Sequence, residues 1–145
     1  MRIPFAVFTI FSFCVTVAAA DFTGTWKLNL EKSKLPESDS RSSQLMTITS
    51  TGTNAYKIAI DTVTKSGENR HEEYNRIYDA KEHPATGAGS PPGLTEICEQ
   101  TDPSTLKVTG KINGKVIGHF TSIISSDGRT LTTGPNGNES VFDRQ

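Results

Sequence analysis

The sequence contains only a small set of side chains that could ligate a metal ion or a haem. Outside the first 20 residues, the candidates are His71, His83, His119 and Cys98. No two of them have a recognised ligand spacing. His71 precedes Glu72 and Glu73, but adjacent side chains of a strand point to opposite faces, so these three cannot converge. The sequence therefore predicts no metal site and no cofactor. A haem held by one histidine inside a barrel is the open alternative.

Signatures of a catalytic nucleophile do not occur in the sequence. Serines are plentiful, but there is no Gly-x-Ser-x-Gly elbow. The glycines of Gly87-Ala88-Gly89 lead into Ser90-Pro91-Pro92 rather than into a helix start, so they do not form a phosphate-binding loop. We therefore expect that the chain is not an enzyme.

One segment places an arginine between two tyrosines on a single strand face. In the predicted strand 71–78, Tyr74, Arg76 and Tyr78 alternate and share a face. If that face points into a barrel, the guanidinium lies inside and needs an anionic or hydrogen-bonding partner. The sequence leaves three situations open: the partner is an acidic or strongly polar ligand, it is a carboxylate of the protein, or Arg76 extends to the rim.

Short strand-like runs dominate the chain and would have to position these side chains. Nine runs are rich in Thr, Val, Ile and aromatic residues and are bounded by turn-forming residues: 24–30, 45–50, 56–62, 71–78, 95–100, 105–112, 115–124, 130–133 and 140–144. Alternation of Tyr56, Ile58 and Ile60 is typical of a strand with one buried face. The dipeptides Asn113-Gly114 and Asp127-Gly128 tolerate the positive φ angles of tight hairpins.

These elements predict an all-β fold. We expect a small antiparallel up-and-down β-barrel of eight to nine strands, because closure of the sheet removes its exposed edges. An open sandwich is the alternative. Two longer links, 31–44 and 79–93, are predicted to be loops, either functional rims or plain solvated linkers.

The first 20 residues have the pattern of a secretory signal. Arg2 gives a basic start, residues 3–17 are almost wholly apolar, and Ala18-Ala19-Ala20 places small residues before Asp21. An apolar run of about 15 residues is shorter than the roughly 20 that a spanning helix needs. We predict a signal peptide over 1–20, one barrel domain over 21–145, a secreted or periplasmic location, and no transmembrane segment after cleavage.

Charge and cysteine content narrow the expected partners. Loss of Arg2 with the signal leaves 14 basic and 16 acidic side chains, a net charge of −2. No basic stripe remains that would follow a phosphate backbone, so nucleic acid is not an expected partner. Cys98 is then the only cysteine, which excludes an internal disulfide, and we expect it to be a small buried hydrophobic side chain. The oligomeric state is left open.

Four stretches resemble small exported bacterial lipocalin-like proteins. Residues 21–29, with Gly24-Thr25-Trp26, resemble the Gly-x-Trp signature that opens the first strand of lipocalins, and residues 31–34, 78–87 and 114–132 are similar to the same group. The resemblance implies a lipocalin-like antiparallel barrel over most of residues 21–145. In lipocalins this tryptophan closes the barrel floor under an arginine from the end of the chain. The resemblance therefore implies structural roles for Gly24, Trp26 and Arg144.

The C-terminal half resembles cytosolic fatty-acid-binding proteins more loosely. Those proteins carry two lid helices between their first two strands and hold a carboxylate with an Arg and a Tyr in the last strand. Here the link 31–44 is short and polar, and Ser140 and Phe142 stand at the two positions of the last strand. A fatty acid held in that manner is not expected.

The predicted function is binding of a small, largely apolar ligand in a barrel cavity by a secreted or periplasmic protein. Only 34% of the residues are hydrophobic, which favours a cavity over a filled barrel. The expected partner is a small hydrophobic or amphipathic molecule. The predicted ligand-binding residues are Tyr56, Ile58, Tyr74, Arg76, Tyr78 and Phe120. The alternative is an exported protein-interaction module, an inhibitor or surface protein, with a filled barrel and no small-molecule ligand.

Overall fold

Ten β-strands and no helix make up the described part of the chain. The computed structural model describes residues 20–145, so the predicted signal peptide lies outside it except for Ala20. The strands are β1 (Gly24–Asn29), β2 (Arg41–Gly52), β3 (Ala55–Thr64), β4 (Asn69–Ile77), β5 (Glu82–Pro84), β6 (Leu94–Asp102), β7 (Thr105–Ile112), β8 (Lys115–Ile124), β9 (Thr130–Gly134) and β10 (Ser140–Arg144). Within residues 20–145, no helix is long and apolar enough to cross a membrane.

All ten strands belong to one antiparallel sheet that pairs in chain order. The order across the sheet is β4-β3-β2-β1-β10-β9-β8-β7-β6-β5. The first and last strands, β1 and β10, pair with each other, which sets Trp26 opposite Arg144 and Leu28 opposite Phe142. The predicted all-β antiparallel barrel, with neighbouring strands paired in sequence, is confirmed.

The two outermost strands of this sheet, β4 and β5, are joined by side chains. Within the described residues no backbone ladder connects them. Instead, the Thr86 hydroxyl accepts a hydrogen bond from the Asn75 amide at 2.8 Å and donates one to the Asn75 carbonyl at 2.9 Å. Gly87 has φ +118°, and a Cβ at this position would lie 2.9 Å from the carbonyl oxygen of Glu73. We call this contact between β4 and the β5 region the seam. The closure that the sequence predicts is therefore made between these two strands by a hydroxyl and a glycine rather than by a ladder.

Local turn chemistry agrees with the sequence in the C-terminal half. Asn113 and Gly114 have φ angles of 50° and 77° and join β7 to β8 as a tight hairpin. Gly128 has a φ of 69° in the turn between β8 and β9. Both dipeptides were predicted hairpin positions, and both carry the positive φ that only glycine and asparagine adopt readily.

Two strand predictions need correction. β2 begins at Arg41, inside the segment predicted as a loop, and its first residues are polar because they lie beyond the buried part of the barrel. β5 lies inside the second predicted loop and raises the strand number to ten rather than eight to nine. A strand of three residues that ends on Pro84 carries too little alternation to be recognised. The strands β7, β8 and β10 have the bounds that the sequence predicts.

The core runs along the inside of the barrel, and we call the end around Trp26 the floor. Trp26, Phe22 and Leu131 are fully buried there, and the Trp26 indole donates a hydrogen bond to the carbonyl of Phe22 at 3.0 Å. The Arg144 guanidinium lies 4.2 Å from the centroid of the Trp26 ring. Cys98 is buried as predicted, with 3% of its surface exposed.

The floor is held together by one arginine at the end of β10. The Arg144 side chain donates hydrogen bonds to the carbonyls of Gly128 at 2.7 Å, Thr23 at 2.7 Å and Asp21 at 2.5 Å. It therefore ties the first residues of the described chain to the turn between β8 and β9. The structural roles expected for Trp26 and Arg144 correspond to these contacts.

Candidate functional site

A cavity of about 360 Å³ lies inside the barrel above the floor. Because side chains alternate along a strand, every second residue of the wall strands points into it. Most of the wall is apolar and comes from Met46, Ile48, Ile58, Ile60, Leu106, Leu131 and Phe142. Leu35 and Pro36 of the link between β1 and β2, and Pro135 and Asn138 of the turn between β9 and β10, complete the lining at the opposite end, which we call the mouth.

All six residues predicted to bind a ligand line this cavity: Tyr56, Ile58, Tyr74, Arg76, Tyr78 and Phe120. Tyr56 and Tyr78 pack edge to face, with ring centroids 5.8 Å apart and an interplanar angle of 70°. Ile58 is buried, whereas Phe120 is 37% exposed. The structure thus brings the six side chains to one cavity, and their contact with a ligand stays a prediction.

Arg76 points inward, as the alternation predicts, and its anionic partner is Glu96 of β6. Nε and Nη2 of Arg76 donate to the two carboxylate oxygens of Glu96 at 3.0 and 2.9 Å. The two side chains are only 17% and 18% exposed. The sequence left open whether a ligand or a protein carboxylate would pair with Arg76. The structure shows the protein carboxylate, so a ligand is not needed to neutralise this guanidinium.

Burial and this ion pair set the protonation states at the Arg76 end of the cavity. Burial by itself lowers the pKa of Arg76, but the hydrogen bonds to Glu96, together with charge interactions with Tyr74, Tyr78 and Glu96, outweigh it and the pKa is raised. Burial raises the pKa of both Tyr74 and Tyr78, so their phenols stay neutral at physiological pH. The Arg76 guanidinium also lies over the Tyr74 ring, 4.6 Å from its centroid.

A second arginine stands at the mouth, where the sequence predicted only a loop. Arg41 donates to the carboxylate of Asp39, with Nη2 at 2.7 Å, to the Gln44 side-chain oxygen at 3.0 Å and to the Ser140 hydroxyl at 3.0 Å. These bonds hold the pKa of Asp39 below its usual range. The inward alternation of Met46 and Ile48 runs back to Gln44, and this signal could have shown that the strand continues to the mouth.

Arg76 and Phe120 also line a second, smaller cavity of about 290 Å³. It extends along β6, β7 and β8 past Leu94, Gly110 and Ile117. The two side chains therefore stand where the two cavities meet.

The histidines are engaged with partners at separate places. His71 lies 2.6 Å from the carboxylate of Asp61, which raises the pKa of its ring, and His83 lies 2.9 Å from Asp79. His119 contacts the Thr109 hydroxyl at 3.0 Å. In the part of the chain that the structure describes, no three His, Cys, Asp or Glu side chains form a group able to hold a metal ion. Burial raises the pKa of the Cys98 thiol to about 11, so it is protonated and unreactive at neutral pH.

Comparison with known proteins identifies the fold. No protein-family model matches the chain, and no curated protein matches it significantly. Among solved structures, the wild-type fluorescent protein UnaG has a TM-score of 0.56 and 14% sequence identity, covering 86% of this chain and 97% of the other. A point mutant of UnaG has a TM-score of 0.57 and 15% identity, covering 86% of this chain and 96% of the other. At such identity the likeness shows the architecture alone: this chain is a small antiparallel β-barrel.

Proposed function

We propose that this chain is an exported, lipocalin-like binding protein that holds a small, largely apolar molecule in its barrel cavity, in the periplasm or outside the cell. The observation that carries the proposal is the cavity of about 360 Å³ with its mainly aliphatic and aromatic wall. Small-molecule sites have volumes of about 300 to 1,000 Å³ and combine apolar walls with a few polar groups. Arg76, Tyr74 and the cluster at the mouth are such groups. The proposal assigns no catalytic step to the chain.

Export is supported by the sequence of the first 20 residues and by the start of the fold. Phe22 is part of the core, whereas Ala20 packs against it with a partly buried side chain. A leader removed before Asp21 would leave the barrel intact. Cleavage before Asp21 would therefore keep the core contacts of Phe22.

The experiment that tests ligand binding is a titration with the neutral apolar dye Nile red. We expect saturable binding at one site, and native mass spectrometry of protein purified from its own host should show a co-purifying small molecule. Ser122 lines the cavity and Ile123, its neighbour on β8, is exposed. Ser122→Trp should fill the cavity and lower dye affinity at least about tenfold, because the dye loses its buried contacts. Ile123→Trp places the same bulk on the outer face and should leave the affinity unchanged.

A second candidate function, an exported protein-interaction module, is favoured by the free edge of β8. Strand β9 pairs with β8 only over residues 121–124, so residues 115–120 have a backbone partner on one side only among the described residues. Val116, Ile117 and Phe120 are exposed on this segment. Such an edge can pair with a strand of another protein. If near-UV circular dichroism shows fixed tertiary structure and Nile red does not bind, this second function becomes the better one.

A further inference from the structure

The charged side chains that line the main cavity are two arginines, and each is neutralised by an acid of the protein. Arg41 pairs with Asp39 at the mouth and Arg76 pairs with Glu96 farther in. All four side chains are between 14% and 20% exposed. No Asp, Glu, Lys or His is itself part of the lining within the described residues. The cavity therefore presents hydrogen-bonding groups but no uncompensated charge.

The two arginines differ in how many of their donors remain available. The Arg41 guanidinium donates hydrogen bonds to three partners, Asp39, Gln44 and Ser140. Arg76 donates from Nε and Nη2 to Glu96, which leaves Nη1 as its remaining nitrogen. The guanidinium also interacts with the phenols of Tyr74 and Tyr78, which line the same cavity. Arg76 borders both the main cavity and the second one, so Nη1 is the nitrogen that the acceptor group of a ligand would have to reach.

This arrangement favours a neutral acceptor over an anion. A carboxylate that reached Arg76 would lie close to the Glu96 carboxylate as well, so repulsion would cancel much of the attraction. It would still lose its hydration on entering an apolar cavity. A hydroxyl or carbonyl oxygen loses less hydration and can accept a charge-assisted hydrogen bond from Nη1. The Arg76–Glu96 pair thus discriminates by charge, because it lowers the affinity for an anionic ligand more than it raises the affinity for a neutral one.

We propose that the natural ligand is an uncharged amphiphile, a long-chain alcohol, ester or amide, whose polar end accepts a hydrogen bond from Arg76 while its tail lies along the aliphatic wall. This inference rests on the proposed binding function and adds the charge class of the ligand. Glu96 is then a specificity-determining residue, since it cancels the positive charge that would otherwise attract carboxylates.

The test compares matched ligands that differ in the charge of their polar end. Decan-1-ol and decanoate, with their 12- and 14-carbon homologues, are titrated at pH 8 into the protein without residues 1–20, loaded with Nile red. We expect the alcohols to displace the dye at least about tenfold more effectively than the acids of equal length. Equal or tighter binding of the acids overturns the inference, as does dye binding that no alcohol displaces. If neither the dye nor either ligand series binds, the proposed function itself fails.

A charge-removing variant separates the role of Glu96 from the general hydrophobicity of the alcohols. Glu96→Gln is nearly isosteric and leaves the Arg76 guanidinium without an anionic partner, so decanoate affinity should rise about tenfold or more, with little change for decan-1-ol. Glu99 lies on the same strand in an exposed pair with Lys107, so Glu99→Gln is the matched control and should change neither affinity. Unchanged decanoate affinity in folded Glu96→Gln overturns the inference.

A double variant keeps the test decisive if Glu96→Gln does not fold. Replacing both Arg76 and Glu96 with Met removes the two charges together, and such replacement of a buried ion pair is often neutral for stability. The cavity stays uncharged but loses the Nη1 donor. We expect decan-1-ol to bind a few-fold more weakly than to the parent, with decanoate still weaker. A double variant that binds decan-1-ol as tightly as the parent would show that Arg76 does not contact the polar end.

Discussion

At the scale of single residues, Gly24 shows how one missing side chain allows the floor to form. Gly24 has φ +122°, and a Cβ there would lie 2.9 Å from Nη1 of Arg144. Arg144 needs this space because its guanidinium covers Trp26 and donates to the carbonyl of Thr23. The glycine is therefore required both by backbone conformation and by the neighbouring cation.

Gly24→Ala should lower the free energy of unfolding by about 1–3 kcal/mol, because alanine is strained at this φ and displaces Arg144. Gly118 is the matched control: it also lies in a strand, but its φ is not in the left-handed region and a Cβ there would meet nothing within 4 Å. Gly118→Ala should stay within about 0.5 kcal/mol of the parent. Urea unfolding followed by Trp26 fluorescence measures both. Equal stability of the Gly24→Ala variant and the parent would mean that the floor does not depend on this close approach.

Arg76 shows which properties of a single site residue can be predicted from the sequence and which cannot. Its inward direction could be predicted, since alternation with Tyr74 and Tyr78 is a local property of one strand. Its partner Glu96 could not, because the pair reaches from β4 across the seam to β6, and β4 and β6 share no ladder. Register rules connect only strands that are neighbours in a sheet, and the curvature that brings these two strands together has no local signal.

At the scale of elements, the seam is the part of the barrel that depends on side chains in place of backbone pairing. The Thr86 hydroxyl makes both of its hydrogen bonds to the backbone of Asn75. This hydroxyl thus takes the place of one pair of backbone hydrogen bonds between β4 and the segment that follows β5. Because so few bonds cross the seam, we expect it to open locally more often than the rest of the sheet.

Thr86→Val keeps the shape of the side chain but removes both hydrogen bonds to Asn75. Loss of this contact should raise the amide exchange rate of Asn75 by about fivefold, because a hydrogen bond contributes about 1 kcal/mol and local opening reports it directly. Thr86→Ser retains the hydroxyl and should exchange like the parent. Hydrogen exchange by NMR resolves the Asn75 amide from its neighbours. An exchange rate that is equal in all three proteins would show that other contacts hold the seam.

Strands with strong alternation or flanking turn dipeptides could be predicted, whereas those at the rim could not. β8 and β10 have their predicted bounds because their periodicity and the nearby Asn-Gly and Asp-Gly turns are local signals. The start of β2 is polar since it surrounds the mouth, so composition alone assigns it to a loop. The mouth cluster around Arg41 was missed for the same reason.

At the scale of the whole molecule, the volume of the cavity is a property that no single strand encodes. The sequence indicated a barrel with a thin apolar interior, but the volume depends on strand number, on tilt and on which side chains meet across the interior. β5 adds a strand, and Glu96 pairs with Arg76 from across the seam. Neither feature is encoded in a local sequence pattern. An apolar cavity could therefore be predicted from the sequence. The neutralisation of its two arginines by Asp39 and Glu96 could not.

The whole molecule also constrains where a leader can be removed. Phe22 is 2% exposed in the core, and Arg144 donates to the carbonyl oxygens of Asp21 and Thr23. Cleavage after Phe22 or later would remove the floor contacts of Phe22. Cleavage well before Ala20 would leave apolar residues attached to the folded barrel. Processing after Ala18-Ala19-Ala20, which stays a prediction, would keep the contacts of Phe22.

Expression in a bacterium with the leader intact should yield exported protein that begins at or within a few residues of Asp21. Signal processing needs small residues at the first and third positions before the cut, which are Ala20 and Ala18 here. Ala18→Leu/Ala20→Leu should therefore accumulate uncleaved precursor, while Ala19→Leu, at the tolerant position between them, should be processed like the parent. Intact mass of the periplasmic and secreted fractions measures the cut. A parent chain that stays uncleaved, or one cut at Cys14 and carrying lipid, would contradict export by this route, because the small-residue window would then not direct processing.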